Sequence, residues 1–169
     1  MTEPNIPAEA PDFTLDHILG HSVSLSDFRG RTVVAMFVGK ESAAQTDGWT
    51  EKIRAQYDPA EMPILGVSDL RAVPRPARIV AKKLMKKAFD EVVEQESEAF
   101  RKHGNEPPDD PGKFVQMLLD WKGDVTESFG IDSVEETAVG VVIDGDGRIL
   151  ASGTGPEAGD TLFAALPPK

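Results

Sequence analysis

The chain of 169 residues contains no cysteine. Disulfide bonds, thiolate metal sites and catalysis by a cysteine nucleophile are therefore all excluded. Histidine is also scarce, with three residues (His17, His21 and His103) at spacings that do not suit metal ligation. We expect neither a metal nor a cofactor, because the sequence also lacks a glycine-rich phosphate loop after a strand.

Long hydrophobic runs are absent too. No segment approaches the roughly 20 apolar residues of a membrane span, and residues 1–7 have neither the basic nor the apolar region of a secretion signal. We therefore expect a cytoplasmic protein. The net charge of −11 argues against nucleic acid as a partner.

What the sequence does contain is an alternation of strand and helix patterns. Apolar runs and helical spacing predict a single α/β domain over residues 1–169, with a central mixed sheet and helices on both faces. Residues 1–11 read as an extended arm, and Asp144-Gly145 between two apolar runs predicts a hairpin. The predicted strands are 13–15, 23–25, 32–38, 63–67, 114–119, 139–143 and 148–151, and the predicted helices are 49–57, 76–103, 124–129 and 157–166.

Several segments occur in an order that matches a known family. They are Pro11 to Leu15, Val23 to Arg31, Thr32 to Val38, Asp120 to Ile131 and Val141 to Ile149. This order resembles the redoxin and peroxiredoxin branch of the thioredoxin superfamily over residues 11–69 and 117–166. The resemblance implies a thioredoxin-like fold with an N-terminal β-hairpin. Residues 70–113 lie outside the resemblance, and we expect them to form a helical insertion.

The resemblance places the family's reactive cysteine in residues 39–47, hereafter the 39–47 loop. In a thioredoxin register, Ser42-Ala43-Ala44-Gln45 stands where that family has Cys-x-x-Cys. In a peroxiredoxin register, Gly39, Ala43 and Thr46 replace the family's proline, threonine and peroxidatic cysteine. The supporting arginine, or the cis-proline of thioredoxins, falls near Ala138. Neither thiol peroxidase nor disulfide oxidoreductase activity is therefore expected.

The 39–47 loop nevertheless carries polar groups, which allows two interpretations. One is a reused pocket over residues 40–49, giving an enzyme or a small-molecule-binding protein with an anion at the helix N-terminus. The other is that Ser42-x-x-Gln45 is a capping box, or that Thr46 or Asp47 is an N-cap. A serine or threonine nucleophile would need a histidine base, which no sequence spacing supplies. The candidate pocket residues are Lys40, Glu41, Ser42, Gln45, Thr46, Trp49 and Ala138.

A second distinctive feature is residues 71–89, hereafter the basic segment, which contains seven cations and no acid. The other 150 residues hold 11 positive and 29 negative charges. An amphipathic helix of this kind suits an acidic protein partner or an anionic membrane surface. Alternatively, Lys86 and Lys87 pair with Asp90 and Glu91 four residues later, and the segment neutralises the protein's own surface. The cations are Arg71, Arg75, Arg78, Lys82, Lys83, Lys86 and Lys87.

Helical spacing also predicts an apolar face on the long helix. Its members are Ala81, Leu84, Met85, Ala88, Phe89, Val92 and Ala99. The leading hypothesis is a redoxin-like protein without the peroxidatic and resolving cysteines, which is catalytically silent and binds a partner through the basic segment. The alternative is a reused pocket at residues 40–49, and a homo-oligomer is compatible with both.

Overall fold

The computed structural model describes residues 4–168, in which seven strands form one mixed sheet of order β2-β1-β5-β4-β3-β6-β7. β3, β4 and β5 are parallel to one another, and every other neighbouring pair is antiparallel. The strands are β1 (Thr14–His17), β2 (Ser22–Ser24), β3 (Val33–Val38), β4 (Ile64–Asp69), β5 (Gln116–Asp120), β6 (Val139–Ile143) and β7 (Ile149–Thr154). The helices are α1 (Asp47–Gln56), α2 (Arg78–Lys102), α3 (Asp124–Ser128) and α4 (Gly159–Ala164).

The central strand β3 shows why the sheet needs cover on both faces. Val33, Ala35 and Phe37 belong to one apolar core, and Val34 and Met36 belong to a second core on the opposite face. Because side chains alternate between faces along a strand, a continuous apolar run is buried on both sides. Phe129, which follows α3, packs in the first core, and α1 and α4 supply Trp49 and Leu162 to the second.

Both predicted hairpins are confirmed. β1 pairs with β2, and β6 pairs with β7 across the Asp144–Gly147 turn. The Gly147 amide donates to the Asp144 carbonyl over 3.0 Å, and the Asp144 carboxylate accepts the amides of Asp146 and Arg148. Gly147 has a φ of 87°, a conformation that favours glycine.

Two other predictions need adjustment at their edges. The strand expected at 114–119 begins at Gln116, because Pro111–Phe114 forms a 3-10 turn. The predicted arm, as far as it is described, is bonded to two other segments. The Asn5 amide donates to the Gly130 carbonyl, and Glu9 forms an antiparallel bridge with Arg148, next to β7. Residues 1–3 of that arm lie outside the described residues.

The predicted apolar face of α2 is only partly buried. Phe89 and Ala99 of this face are buried, but Leu84 and Ala88 are exposed. The second half of the helix is anchored: the Phe89 ring meets His17 and the Phe100 ring meets Phe114. The first half exposes its apolar residues because spacing shows which residues share a face and not what covers that face. None of the helices within residues 4–168 is long and apolar enough to cross a membrane.

Candidate functional site

The carboxyl ends of the three parallel strands lie at one edge of the sheet. They are followed by the 39–47 loop after β3, the start of the basic segment after β4, and a turn at 121–123 after β5. Because β6 runs antiparallel to β3, the 131–138 loop that leads into β6 lies at this edge as well. Ligands of open α/β sheets commonly bind at the carboxyl edge, so the 39–47 loop and the start of the basic segment lie at the position where a ligand is expected.

The 39–47 loop is tied to the 131–138 loop by two side chains. Ser42 is fully buried; its hydroxyl donates to the Val134 carbonyl and accepts the Gly39 amide over 3.0 Å. The Gln45 side chain donates to the Glu136 carbonyl over 2.8 Å and accepts the Ala138 amide over 2.9 Å. The structure thus places Ser42, Gln45 and Ala138 together, and their polar groups are already satisfied within the protein.

The capping-box prediction for Ser42 and Gln45 is wrong. Ala43–Thr46 forms a 3-10 turn, and Ser42 caps nothing at its N-terminus. Thr46 stands at the N-cap of α1, but its hydroxyl donates to the Ala43 carbonyl instead of capping the helix. Ser42 and Gln45 instead bond to the 131–138 loop, about ninety residues away in sequence, because that loop packs against the 39–47 loop. The two loops are so close at Gly39 that an added Cβ atom would lie 3.0 Å from the Val134 carbonyl oxygen.

The remaining candidate pocket residues are dispersed. Lys40 and Glu41 are exposed, whereas Trp49 is 1% exposed and packs in the second core. Five exposed acids on the 39–47 and 131–138 loops outnumber the cation Lys40, so the local charge disfavours an anion at the start of α1. These acids are Glu41, Asp47, Asp132, Glu135 and Glu136.

The histidines do not supply a catalytic base for the loop. The Nε2 atom of His17 donates to the Val115 carbonyl over 2.7 Å, and its Nδ1 atom accepts the Leu19 amide over 3.0 Å. Burial lowers the pKa of His17, which keeps the ring neutral in this arrangement. His103 bonds to the Arg54 carbonyl, and within residues 4–168 no histidine bonds to Ser42 or Thr46. The same residues contain no group of three side chains suited to a metal ion.

In the basic segment, Arg71 and Arg78 contact other side chains of the protein. Arg71 forms ion pairs of 2.7 Å with both Asp69 and Glu127, and its hydrogen bond to Asp69 raises its pKa. The Arg78 guanidinium lies 4.8 Å from the centre of the Trp121 ring. These contacts hold the start of the basic segment against the carboxyl edge, and the charge of Arg71 is already paired there.

The lysines of the basic segment differ from one another. Lys82 lies 5.9 Å from the Trp121 ring, and Lys86 forms the predicted pair with Asp90 at 2.7 Å. The predicted Lys87–Glu91 pair is not formed, although both residues lie in the described part of the chain. Lys83 and Lys87 thus point to solvent without an ionic partner there, beside the exposed apolar residues of the same half-helix.

Sequence reasoning missed a buried ion pair that anchors α2. The Arg54 guanidinium of α1 lies 2.9 Å from the Glu96 carboxylate of α2, and both side chains are less than 10% exposed. Arg54 also donates to the Met62 carbonyl over 2.8 Å. The two charges are 42 residues apart, so no local spacing could have paired them.

Comparison with known proteins shows the fold alone. No protein-family model and no curated protein matches the sequence. A putative thiol:disulfide interchange protein DsbE from Chlorobium tepidum is similar in structure, with a TM-score of 0.60, 21% identity and coverage of 98% of this chain and 100% of that one.

Two further structures agree. The exposed lipoprotein thioredoxin Etrx1 from Streptococcus pneumoniae has a TM-score of 0.60 at 18% identity, covering 91% of this chain and 96% of its own. A thiol:disulfide interchange protein from Bacteroides sp. has a TM-score of 0.58 at 24% identity, covering 95% and 87%. The peroxiredoxin branch of the resemblance stays a prediction. The chain therefore has a thioredoxin-like fold, here in a form that contains no cysteine.

Proposed function

We propose that this chain is a redox-silent thioredoxin-like protein that binds a protein partner through the outward face of the basic segment. One observation carries the proposal: the first half of α2 leaves three aliphatic side chains in solvent. Ile79 is 71% exposed, Val80 59% and Leu84 64%. Large apolar groups exposed close together on a protein surface are typical of interaction surfaces.

The charges beside these residues support the same proposal. Lys83 and Lys87 have no ionic partner within residues 4–168, while the rest of the chain is strongly acidic. A locally positive surface on a negative protein orients an approaching acidic partner. The expected partner therefore presents acidic side chains to this surface.

The distribution of residues around the helix favours a protein over a lipid surface. On the exposed arc, Lys83 and Lys87 lie between Ile79 on one side and Leu84 on the other, as the helical repeat requires. An interfacial helix instead inserts an unbroken apolar face, with its lysines at the flanks. Here the cations would point directly into the bilayer.

The alternative function, a ligand pocket at residues 40–49, is less well supported. The hydroxyl of Ser42 and the amide of Gln45 are already bonded to backbone groups, and the surroundings of the loop are acidic. It stays a prediction, as does the cytoplasmic location.

Photo-crosslinking in the source cells tests the proposal. A photoreactive amino acid placed at Val80 should capture a defined polypeptide, and one placed at the exposed control residue Lys113 should not. Adding Lys83→Glu and Lys87→Glu should abolish the product from Val80. Equal products from Val80 and Lys113, or a product that survives the two charge reversals, would overturn the proposal.

A further inference from the structure

The solvent face of α2 divides into two halves of opposite charge. Its exposed residues recur three or four positions apart, so they form a stripe along one side of the helix. The first half of the stripe is apolar and basic, and the second half is acidic as far as Glu98, beyond which the exposed Lys102 ends the helix. In order, the stripe consists of Val80, Leu84, Lys87, Glu91, Glu94 and Glu98.

Much of the charge on this stripe is unused within the molecule. Of its four charged residues, Lys87, Glu91 and Glu94 form no hydrogen bond or ion pair with any other side chain in residues 4–168. The fourth, Glu98, pairs with Arg101 at 3.0 Å, and beside the stripe Lys86 pairs with Asp90 at 2.7 Å. Three of the four charges on the stripe are therefore available to another molecule.

We propose that α2 pairs antiparallel with the α2 helix of a second copy of this chain. This inference rests on the proposed function and names its partner. A twofold axis between Lys87 and Glu91 sets Lys87 opposite Glu91 of the partner subunit. The same register brings Leu84 to Glu94 of the partner subunit and Val80 to Glu98 of the partner subunit. By symmetry, each of these contacts occurs twice.

Charge complementarity favours a second copy in this direction, because Lys87 meets Glu91 of the partner subunit and the symmetric contact repeats the attraction. A parallel pair would place the basic half against the basic half, whereas the antiparallel pair places each half against its opposite. The opposite side of α2 is already anchored by Phe89, Phe100 and the Glu96–Arg54 ion pair. The charged stripe lies on the side of α2 that is exposed to solvent.

The expected dimer is weak. From Val80 to Glu98 the helix runs roughly 27 Å, which gives an interface at the small end of specific complexes. The molecule's net charge of −11 opposes association, but at physiological ionic strength screening over about 8 Å limits electrostatics largely to the contacting pairs. The aliphatic parts of the partner's glutamates would partly cover Val80 and Leu84.

Analytical ultracentrifugation at physiological ionic strength tests the pairing through a charge swap. Because each substitution changes two symmetric contacts from attraction to repulsion, Lys87→Glu or Glu91→Lys alone should weaken dimerisation by about tenfold or more. The double variant should restore it to within about threefold. An equimolar mixture of the two single variants should form a heterodimer. Lys113→Glu is the control, and circular dichroism checks that each variant is folded.

The outcomes separate this pairing from the proposed function. A wild-type chain that stays monomeric up to several hundred micromolar, or single variants that dimerise as the wild type does, would overturn the pairing. If the Val80 crosslink then captures a different acidic protein, the proposed function stands without the dimer. Flotation with phosphatidylserine vesicles that requires Lys83 and Lys87, without any polypeptide crosslink, would overturn both.

Discussion

The 39–47 loop and the first half of α2 differ in how their side chains are used. In the 39–47 loop, the polar side-chain groups of Ser42 and Gln45 form hydrogen bonds with the backbone of the 131–138 loop. In the half-helix, Leu84 is 64% exposed, and Lys83 and Lys87 have no hydrogen-bond or ion-pair partner within residues 4–168. The difference shows that the position where the fold commonly carries its chemistry is closed here, while the segment outside the family resemblance is open.

The largest effect is expected in the second half of α2, which is held to the protein and so differs from the exposed first half. Arg54→Met leaves the Glu96 carboxylate buried without its partner, so we expect a loss of about 3–5 kcal/mol in the free energy of unfolding. Urea denaturation measures the change. In the double variant Arg54→Met with Glu96→Leu no buried charge is left unpaired, so most of the loss should be recovered. A single variant as stable as the wild type would show that the pair does not anchor α2.

A smaller effect is expected from opening the 39–47 loop. Ser42→Ala leaves the buried Val134 carbonyl and Gly39 amide without a partner, which should cost about 1–3 kcal/mol. Gln45→Ala should cost less and should speed hydrogen exchange at the Ala138 amide. Lys40→Ala, on the same loop but exposed, is the matched control and should change stability by less than about 0.5 kcal/mol. Equal effects at Ser42 and Lys40 would contradict the closed loop.

The smallest effect is expected at the open surface. Leu84→Gln keeps a good helix-forming residue at a position that is 64% exposed. In dilute solution, where the chain is monomeric, we expect the free energy of unfolding to change by less than about 0.5 kcal/mol in thermal denaturation. A loss above about 1 kcal/mol would mean that Leu84 packs against the protein. The first half of α2 would then be closed by internal contacts, as the 39–47 loop is.

Local pattern predicted most of the fold. The apolar run of β3, the Asp144–Gly147 hairpin and the helical spacing of α2 all involve residues close in sequence, so each can be recognised from the order of residues alone. The capping box failed for the opposite reason. Ser42 and Gln45 have the right spacing for a cap, but their partners lie in the 131–138 loop and are brought near only by folding.

The candidate site was predictable only in part. Sequence order pointed to the 39–47 loop and Ala138, and charge pointed to the basic segment. Neither showed that Arg71 is shared between Asp69 and Glu127, or that Lys87 does not pair with Glu91. Ion pairing depends on side-chain distances, which residue spacing restricts without determining.

By itself, the sequence determined which chemistry the protein lacks and which pattern of strands and helices it forms. A chain without cysteine has no thiol to react in any conformation. The order of apolar runs and helical patterns predicts a sheet covered by helices, because each apolar face must be buried against another element. Only the tertiary structure decided which polar groups are satisfied and which charges are free. That outcome depends on contacts between residues far apart in the chain, such as Arg54 with Glu96 and Gln45 with Ala138.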